Sequence, residues 1–220
     1  MIILLGDSTI QNYPLDRYPR VGWGQVFPRY LHTEVEVLNF GVGGSSTKSF
    51  LEEGHFAYAL KFIRPGNYVF IQFGHNDKKL DVRHTEAFGS YQDNISYYVQ
   101  TIRQYGGLPI LLTPVYRRHF EGNILKTNVH GDYPEAMKAI AREESCPCLD
   151  ICEASYRSLN KIGEVNSKSL YLHLDPGVHP NYPNGICDNS HLSLAGGHWI
   201  CNLVITALNE QNLLQDFILK

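Results

Sequence analysis

The 220-residue chain has no apolar run long enough to span a bilayer. The stretch from Met1 to Leu5 is too short to serve and carries no basic leader. No membrane partner and no export signal are therefore expected, and the chain reads as soluble and cytoplasmic. Charge of one sign is also scarce: 19 Lys and Arg face 22 Asp and Glu, for a formal net charge of -3. Such a balance leaves no electrostatic footprint for nucleic acid. Cysteines number five, and an odd count builds no secreted disulfide framework. Cys146, Cys148 and Cys152 have a C-x-C-x3-C spacing, but a strand through 148–151 sends alternate side chains to opposite faces, so they read as plain thiols rather than metal ligands. The chain lacks the Gly-x-x-x-x-Gly-Lys and Gly-x-Gly-x-x-Gly phosphate loops, and with them any reason to expect a nucleotide; no cofactor is expected. It also lacks Gly-x-Ser-x-Gly, which disfavours the common α/β-hydrolase arrangement.

What is present is alternation. Short apolar runs at 2–5, 35–40, 68–73, 109–113 and 148–151, each bounded by Gly, Pro or polar residues, predict buried strands. Helical patterns at 22–31, 90–105, 133–144, 152–162 and 193–209 fall between and after them. Strand and helix in alternation imply an α/β fold: one domain over 1–220, a parallel sheet covered by helices on both faces, and ligand binding at the carboxyl ends of the strands. Two irregular stretches, 117–131 and 167–189, the latter holding Pro176, Pro180 and Pro183, are expected to wall a cleft.

Residues able to do chemistry gather at those carboxyl ends. Gly6-Asp7-Ser8 follows the first apolar run, Gly41-Val42-Gly43-Gly44 the second and Gly74-His75-Asn76-Asp77 the third. Asp188 and His191 stand near the C-terminus, ahead of the last helical pattern. A serine hydroxyl becomes a nucleophile only when a base takes its proton and a third group orients that base. Ser8, His191 and Asp188 can fill those roles, with Asp188 close enough in a loop to hold the ring nitrogen facing away from the serine. A helix cap is the plainer use of 188–190, and both uses are compatible. His32, His55, His84 and His119 have no partner that suggests a base. Donors for a tetrahedral oxyanion are available in the Ser8 N–H, the Gly44 N–H and the Asn76 amide. Asp77 is read as structural.

These blocks, in this order, resemble those of the SGNH, or GDSL, hydrolase superfamily. Gly6-Asp7-Ser8-Thr9, Gly22-Trp23-Gly24-Gln25, Asn39 through Ser46, Leu112 through Arg118 and Asp132 through Ala136 further resemble its rhamnogalacturonan acetylesterase branch. The resemblance implies a three-layer fold with a five-stranded parallel sheet of flavodoxin-like order. It also implies Ser8 as nucleophile, His191 as base, Asp188 as orienter, and an oxyanion hole of Ser8, Gly44 and Asn76. Members of that branch remove acetyl groups from pectic polysaccharide, so the implied partner is an acetylated oligosaccharide. The missing export signal departs from secreted members and suggests work on imported oligosaccharides.

Arg117 and Arg118 follow the fourth strand, where a guanidinium can pair with a galacturonate carboxylate; a surface pair with Glu121 is the plainer alternative. The aromatic content, 14 Tyr against 2 Trp, suits a polar wall that stacks on sugar rings. Two other functions compete. A lysophospholipase or acyl-thioesterase of the same superfamily needs an apolar acyl tunnel, whereas the expected cleft loops are rich in Tyr, Asn, His and Pro. A non-catalytic sugar-binding protein needs at least one triad position lost, and all are filled.

Overall fold

In the computed structural model, which describes residues 1–219, strand β1 (Ile2–Gly6) leads to helix α1 (Trp23–Val26), strand β2 (Val37–Asn39), helices α2 (Thr47–Glu52) and α3 (His55–Leu60), and strand β3 (Tyr68–Gln72). Helix α4 (Gln92–Gln104) and strand β4 (Leu108–Leu112) follow, then a small hairpin of β5 (Phe120–Glu121) and β6 (Ile124–Leu125), and helix α5 (Tyr133–Glu143). The chain continues through β7 (Cys148–Leu149), α6 (Ile151–Asn166), β8 (Tyr171–Leu174), β9 (Ile186–Leu192) and α7 (Leu194–Glu210).

β1 is buried along its whole length because it pairs on both edges and helices cover both of its faces. Ile2 is in register with Val37 of β2 and with Tyr68 of β3, and Tyr68 in turn with Leu108 of β4. The main sheet is parallel, in the order β2-β1-β3-β4-β7. The period-two alternation of β1 then divides the core. Ile2 and Leu4 join Trp23, Phe27, Leu159 and Val204 beneath α1, α6 and α7, while Ile3 and Leu5 join Phe50, Tyr98 and Met137 beneath α2 to α5. The result is the three-layer α/β fold of flavodoxin-like strand order. Because the chain leaves β1 for β2 on one side and returns to β3 on the other, a crevice opens at the carboxyl ends of β1 and β3.

The floor of that crevice is tied by one buried amide. Gln72, at the end of β3, accepts from Trp23 Nε1 at 2.8 Å and from Thr9 Oγ1 at 3.3 Å, and donates to the Thr113 carbonyl at 3.0 Å. It therefore fixes the exits of β1, β3 and β4 relative to one another.

Several elements differ from the sequence expectation. The strand expected over 148–151 stops at Leu149, because the Asp150 side chain accepts from the Glu153 N–H and caps α6. The helix expected over 22–31 is one α-turn, α1, followed by a 3-10 turn that contains Pro28, whose missing N–H ends regular helix. Helices α2 and α3 were not expected; they are short and meet at Gly54, which takes φ +79°. The stretch 167–189 is not irregular throughout, since it contains β8 and most of β9, paired antiparallel.

Candidate active site

The turn after β1 is held from several directions. The Asp7 carbonyl accepts from the N–H groups of Ile10 and Gln11, both at 3.2 Å. Its carboxylate Oδ1 accepts from Thr9 N and Thr9 Oγ1, both at 2.8 Å. Tyr13 Oη donates to the Ser8 carbonyl at 2.9 Å. Burial pushes the Asp7 carboxyl up, against the hydrogen bonds from Thr9. Ser8 thus sits on a rigid turn, its hydroxyl facing the cleft.

Opposite lies His191, on β9 rather than in a loop. Residues three apart on a regular strand face opposite ways, so Asp188 and His191 could not meet without an irregularity. The structure supplies one: Leu172 pairs with Asp188 and its neighbour Tyr171 pairs with Leu192, so Asn189, Ser190 and His191 bulge out between them. Asp188 Oδ1 closes the bulge by accepting from Ser190 N at 2.8 Å and His191 N at 3.0 Å. Its Oδ2 lies 2.6 Å from His191 Nδ1, and His191 Nε2 lies 3.1 Å from Ser8 Oγ. With the carboxylate on Nδ1–H, Nε2 is left to accept a proton. Burial opposes charge on Asp188, but the hydrogen bond and charge of His191, helped by the two backbone N–H groups, outweigh it and hold the carboxyl well below the usual range.

Ser8, Gly44 and Asn76 line one cleft of about 590 Å³ together with His191. Gly44 takes φ +87°, a conformation that glycine adopts without penalty. Among the described residues, no acceptor is found for the N–H of Ser8 or of Gly44. Asn76 Nδ2 gives one hydrogen to the Ser45 carbonyl at 2.9 Å, which leaves its second. Asp77 is buried and accepts from Thr47, Gly74 and Thr85, joining three loops; burial pushes it up to about 6.

The same cleft is lined by Arg17, Arg20, Lys79 and Arg117. Among the described residues none of these four pairs with a carboxylate, although Arg83, Lys126, Lys138 and Arg157 do. Arg117 donates from Nε to His75 Nδ1 at 3.3 Å and from Nη2 to the His75 carbonyl at 3.1 Å. That contact assigns the His75 proton to Nε2. Burial, then His130 and Arg117, push the His75 imidazole well below its ordinary value, so it stays neutral.

Arg118 does not reach this cleft. Only 3% exposed, it donates to Ser167 Oγ at 3.1 Å and Asn189 Oδ1 at 2.9 Å and pairs with Glu164. The expectation that it meets substrate is corrected, and so is its alternative partner, since Glu121 pairs with Lys126 instead. Arg118 has a structural place: through Asn189 it braces the bulge that carries His191. Sequence reasoning also missed Arg17, Arg20 and Lys79. Their nearness to Ser8 and Asn76 in the chain was the available signal, and the near-neutral total charge hid it.

Residues 4–183 match the GDSL-like lipase/acylhydrolase family. The chain belongs to that family. It is a carboxylic ester hydrolase. Over 220 residues, all of this chain and 94% of the relative, it is 38% identical to rhamnogalacturonan acetylesterase RhgT of Bacillus subtilis. It is 34% identical, over all of this chain and 97% of the relative, to the probable rhamnogalacturonan acetylesterase YesY of the same organism. Among solved structures, the crystal structure of Bacillus subtilis YxiM superposes with a TM-score of 0.81 at 27% identity, covering 97% of this chain and 57% of that one. Axe2, an acetylxylan esterase from Geobacillus stearothermophilus, shares the GDSL-like fold with a TM-score of 0.63 at 19% identity, covering 94% and 93% of the two chains.

Proposed function

We propose that the protein is a serine-dependent carbohydrate O-acetylesterase acting on rhamnogalacturonan-type pectic oligosaccharides. The observation that carries this reading is the run of contacts from Ser8 through His191 to Asp188 in a cleft that also holds four unpaired cations. Ser8 Oγ attacks the acetyl carbonyl while His191 Nε2 takes its proton. Asp188 holds the ring by Nδ1 and stabilises the imidazolium. Charge on the carbonyl oxygen is met by the N–H groups of Ser8 and Gly44 and by the Asn76 amide. His191 then returns the proton to the departing sugar oxygen, leaving acetyl on Ser8. Water, deprotonated by the same imidazole, releases acetate. His191 carries every proton, so the scheme calls for no cofactor.

Two further considerations favour an acetylated pectic substrate. The full-length resemblance to RhgT and YesY brings rhamnogalacturonan acetylesterase activity to this chain as the first candidate. Arg117, held by His75 with no carboxylate partner, suits a galacturonate carboxylate, which a planar guanidinium grips through two parallel hydrogen bonds. A lysophospholipase or thioesterase would need an apolar acyl tunnel, whereas the walls around Ser8 are cationic and polar.

The test is a substrate panel. Acetyl release from acetylated rhamnogalacturonan oligosaccharides is expected to exceed release from acetylated xylan, and aryl-ester hydrolysis to collapse beyond short acyl chains. Preference for long acyl chains would instead support the lysophospholipase or acyl-thioesterase reading.

A further inference from the structure

We infer that Arg17 and Arg20 form a second carboxylate-binding site, on a different wall of the cleft from Arg117, so that the enzyme grips a saccharide carrying a uronate on each side of the acetylated sugar. The inference rests on the carbohydrate-esterase reading of the cleft and adds to it a requirement for two anionic groups.

The four cations come from two places in the fold. Arg17 and Arg20 belong to the segment between β1 and α1, whereas Lys79 and Arg117 follow β3 and β4. Their surroundings keep them in two groups. Arg20 packs on Tyr13 and the Arg17 main chain is tied to Tyr182, whereas Arg117 is held by His75.

The first wall has the marks of a built site. Its backbone is clamped from the far side of the chain: Asn181 Nδ2 donates to the carbonyls of Leu15 at 2.9 Å and Tyr18 at 2.8 Å, and Tyr182 Oη donates to the Arg17 carbonyl at 2.8 Å. These bonds hold the main chain of Arg17 and leave its guanidinium free to meet a ligand. The Arg20 guanidinium lies over the Tyr13 ring, 4.5 Å from the centroid, which orients its plane. Arg20 Nε is buried without a hydrogen-bond partner. Sealed from water, Nε is sealed from a ligand as well, so Arg20 meets the cleft through its other atoms. Asp16 is adjacent in sequence, yet it pairs with neither arginine. Both arginines line the cleft with no carboxylate partner among the described residues, and a planar carboxylate on the ligand matches the guanidinium fork.

Tyr13 ties this wall to the reacting centre. Its ring supports Arg20 and its hydroxyl holds the Ser8 carbonyl at 2.9 Å. A carboxylate on Arg20 is thus placed at a set distance from the nucleophile, with the carboxylate on Arg117 positioned independently by His75.

The experiment compares wild type with Arg17→Gln, Arg20→Gln and Arg117→Gln. Its substrates are acetylated oligosaccharides with two uronates, with one uronate on either side of the acetylated sugar, and with all carboxyls reduced to alcohols. On the two-uronate substrate each substitution is expected to lower kcat/KM by about 10- to 100-fold, through KM. Wild type and variants should converge on the carboxyl-reduced substrate. On each one-uronate substrate only the changes at one wall should matter. Arg17→Gln keeps the test sound if Arg20→Gln disturbs Tyr13, because the Arg17 side chain is exposed. Equal losses on charged and carboxyl-reduced substrates would overturn the inference, as would full sensitivity of one single-uronate substrate to changes at both walls. Wild type preferring acetylated xylan would overturn the pectic reading as well. A preference for uronates that ignores Arg17 and Arg20 would remove the second site alone.

Discussion

His191 Nε2 stands 3.1 Å from Ser8 Oγ, although 183 positions of sequence separate the two residues. Two non-local features produce that contact: the fixed turn after β1, and a three-residue bulge in β9 that exists only because β8 pairs on both sides of it.

Asp188 closes the bulge and holds the imidazole, so Asp188→Asn should lower kcat on an aryl acetate by about 10⁴-fold, the size expected when a triad histidine loses its tautomer. Steady-state kinetics on purified, folded variant provide the check. A loss below tenfold would mean that the ring is oriented without the carboxylate.

Asn76 contributes a side-chain donor near Ser8 and Gly44. Asn76→Ala is expected to reduce kcat by about 10²–10³-fold while KM changes little, as for removal of one oxyanion donor. Because the Ser45 carbonyl then loses its partner, stability should also fall by about 1–3 kcal/mol. A KM effect with kcat intact would assign Asn76 to substrate binding.

Neighbouring arginines should behave differently. Arg118→Ala leaves Glu164 with Lys168 as its remaining cation and removes the hydrogen bonds to Ser167 and Asn189, so the bulge is unbraced and the denaturant midpoint should fall. Its kcat should fall on charged and neutral esters alike, whereas Arg117→Ala should act mainly through KM on uronate substrates. Denaturant melts and paired kinetics separate the two; a uronate-selective KM effect at Arg118 would restore it to the substrate site.

Much of this was legible in the sequence for a physical reason. The run ending at Gly6 is apolar on both faces, which only a central strand requires, and that alone places Ser8 at a strand end. Asp188 and His191 were legible as a pair by spacing. Their bulge was not, because it depends on the register with 171–174. Nothing local separated Arg117 from Arg118, whose destinations are set by His75 on one side and by Glu164 and Asn189 on the other. Helices α2 and α3 escaped notice because each is too short to display a period.

Acid should weaken the fold through two buried imidazoles. His75 is held neutral by burial and by its neighbour His130, and burial followed by Arg117 and Lys78 pushes His130 down to about 3. An unfolded histidine protonates near about 6.5, so between those values the unfolded chain binds more protons and stability is lost as pH falls, by up to about 5 kcal/mol for His130. Asp77, raised to about 6, opposes this between about 6 and about 4, because there the folded state holds the extra proton. His130→Gln should therefore flatten the dependence of the urea midpoint on pH between about 6.5 and about 4. Parallel curves for the two proteins would rule out His130 as a source of acid sensitivity.

The most direct measurement is acetate release from acetylated rhamnogalacturonan oligosaccharides by wild type and Ser8→Ala side by side. Wild type should release acetate steadily, and the variant, folded by circular dichroism, should lose at least about 10³-fold in kcat. Turnover by Ser8→Ala at the wild-type rate would contradict Ser8 as the nucleophile, and with it the mechanism built on His191 and Asp188.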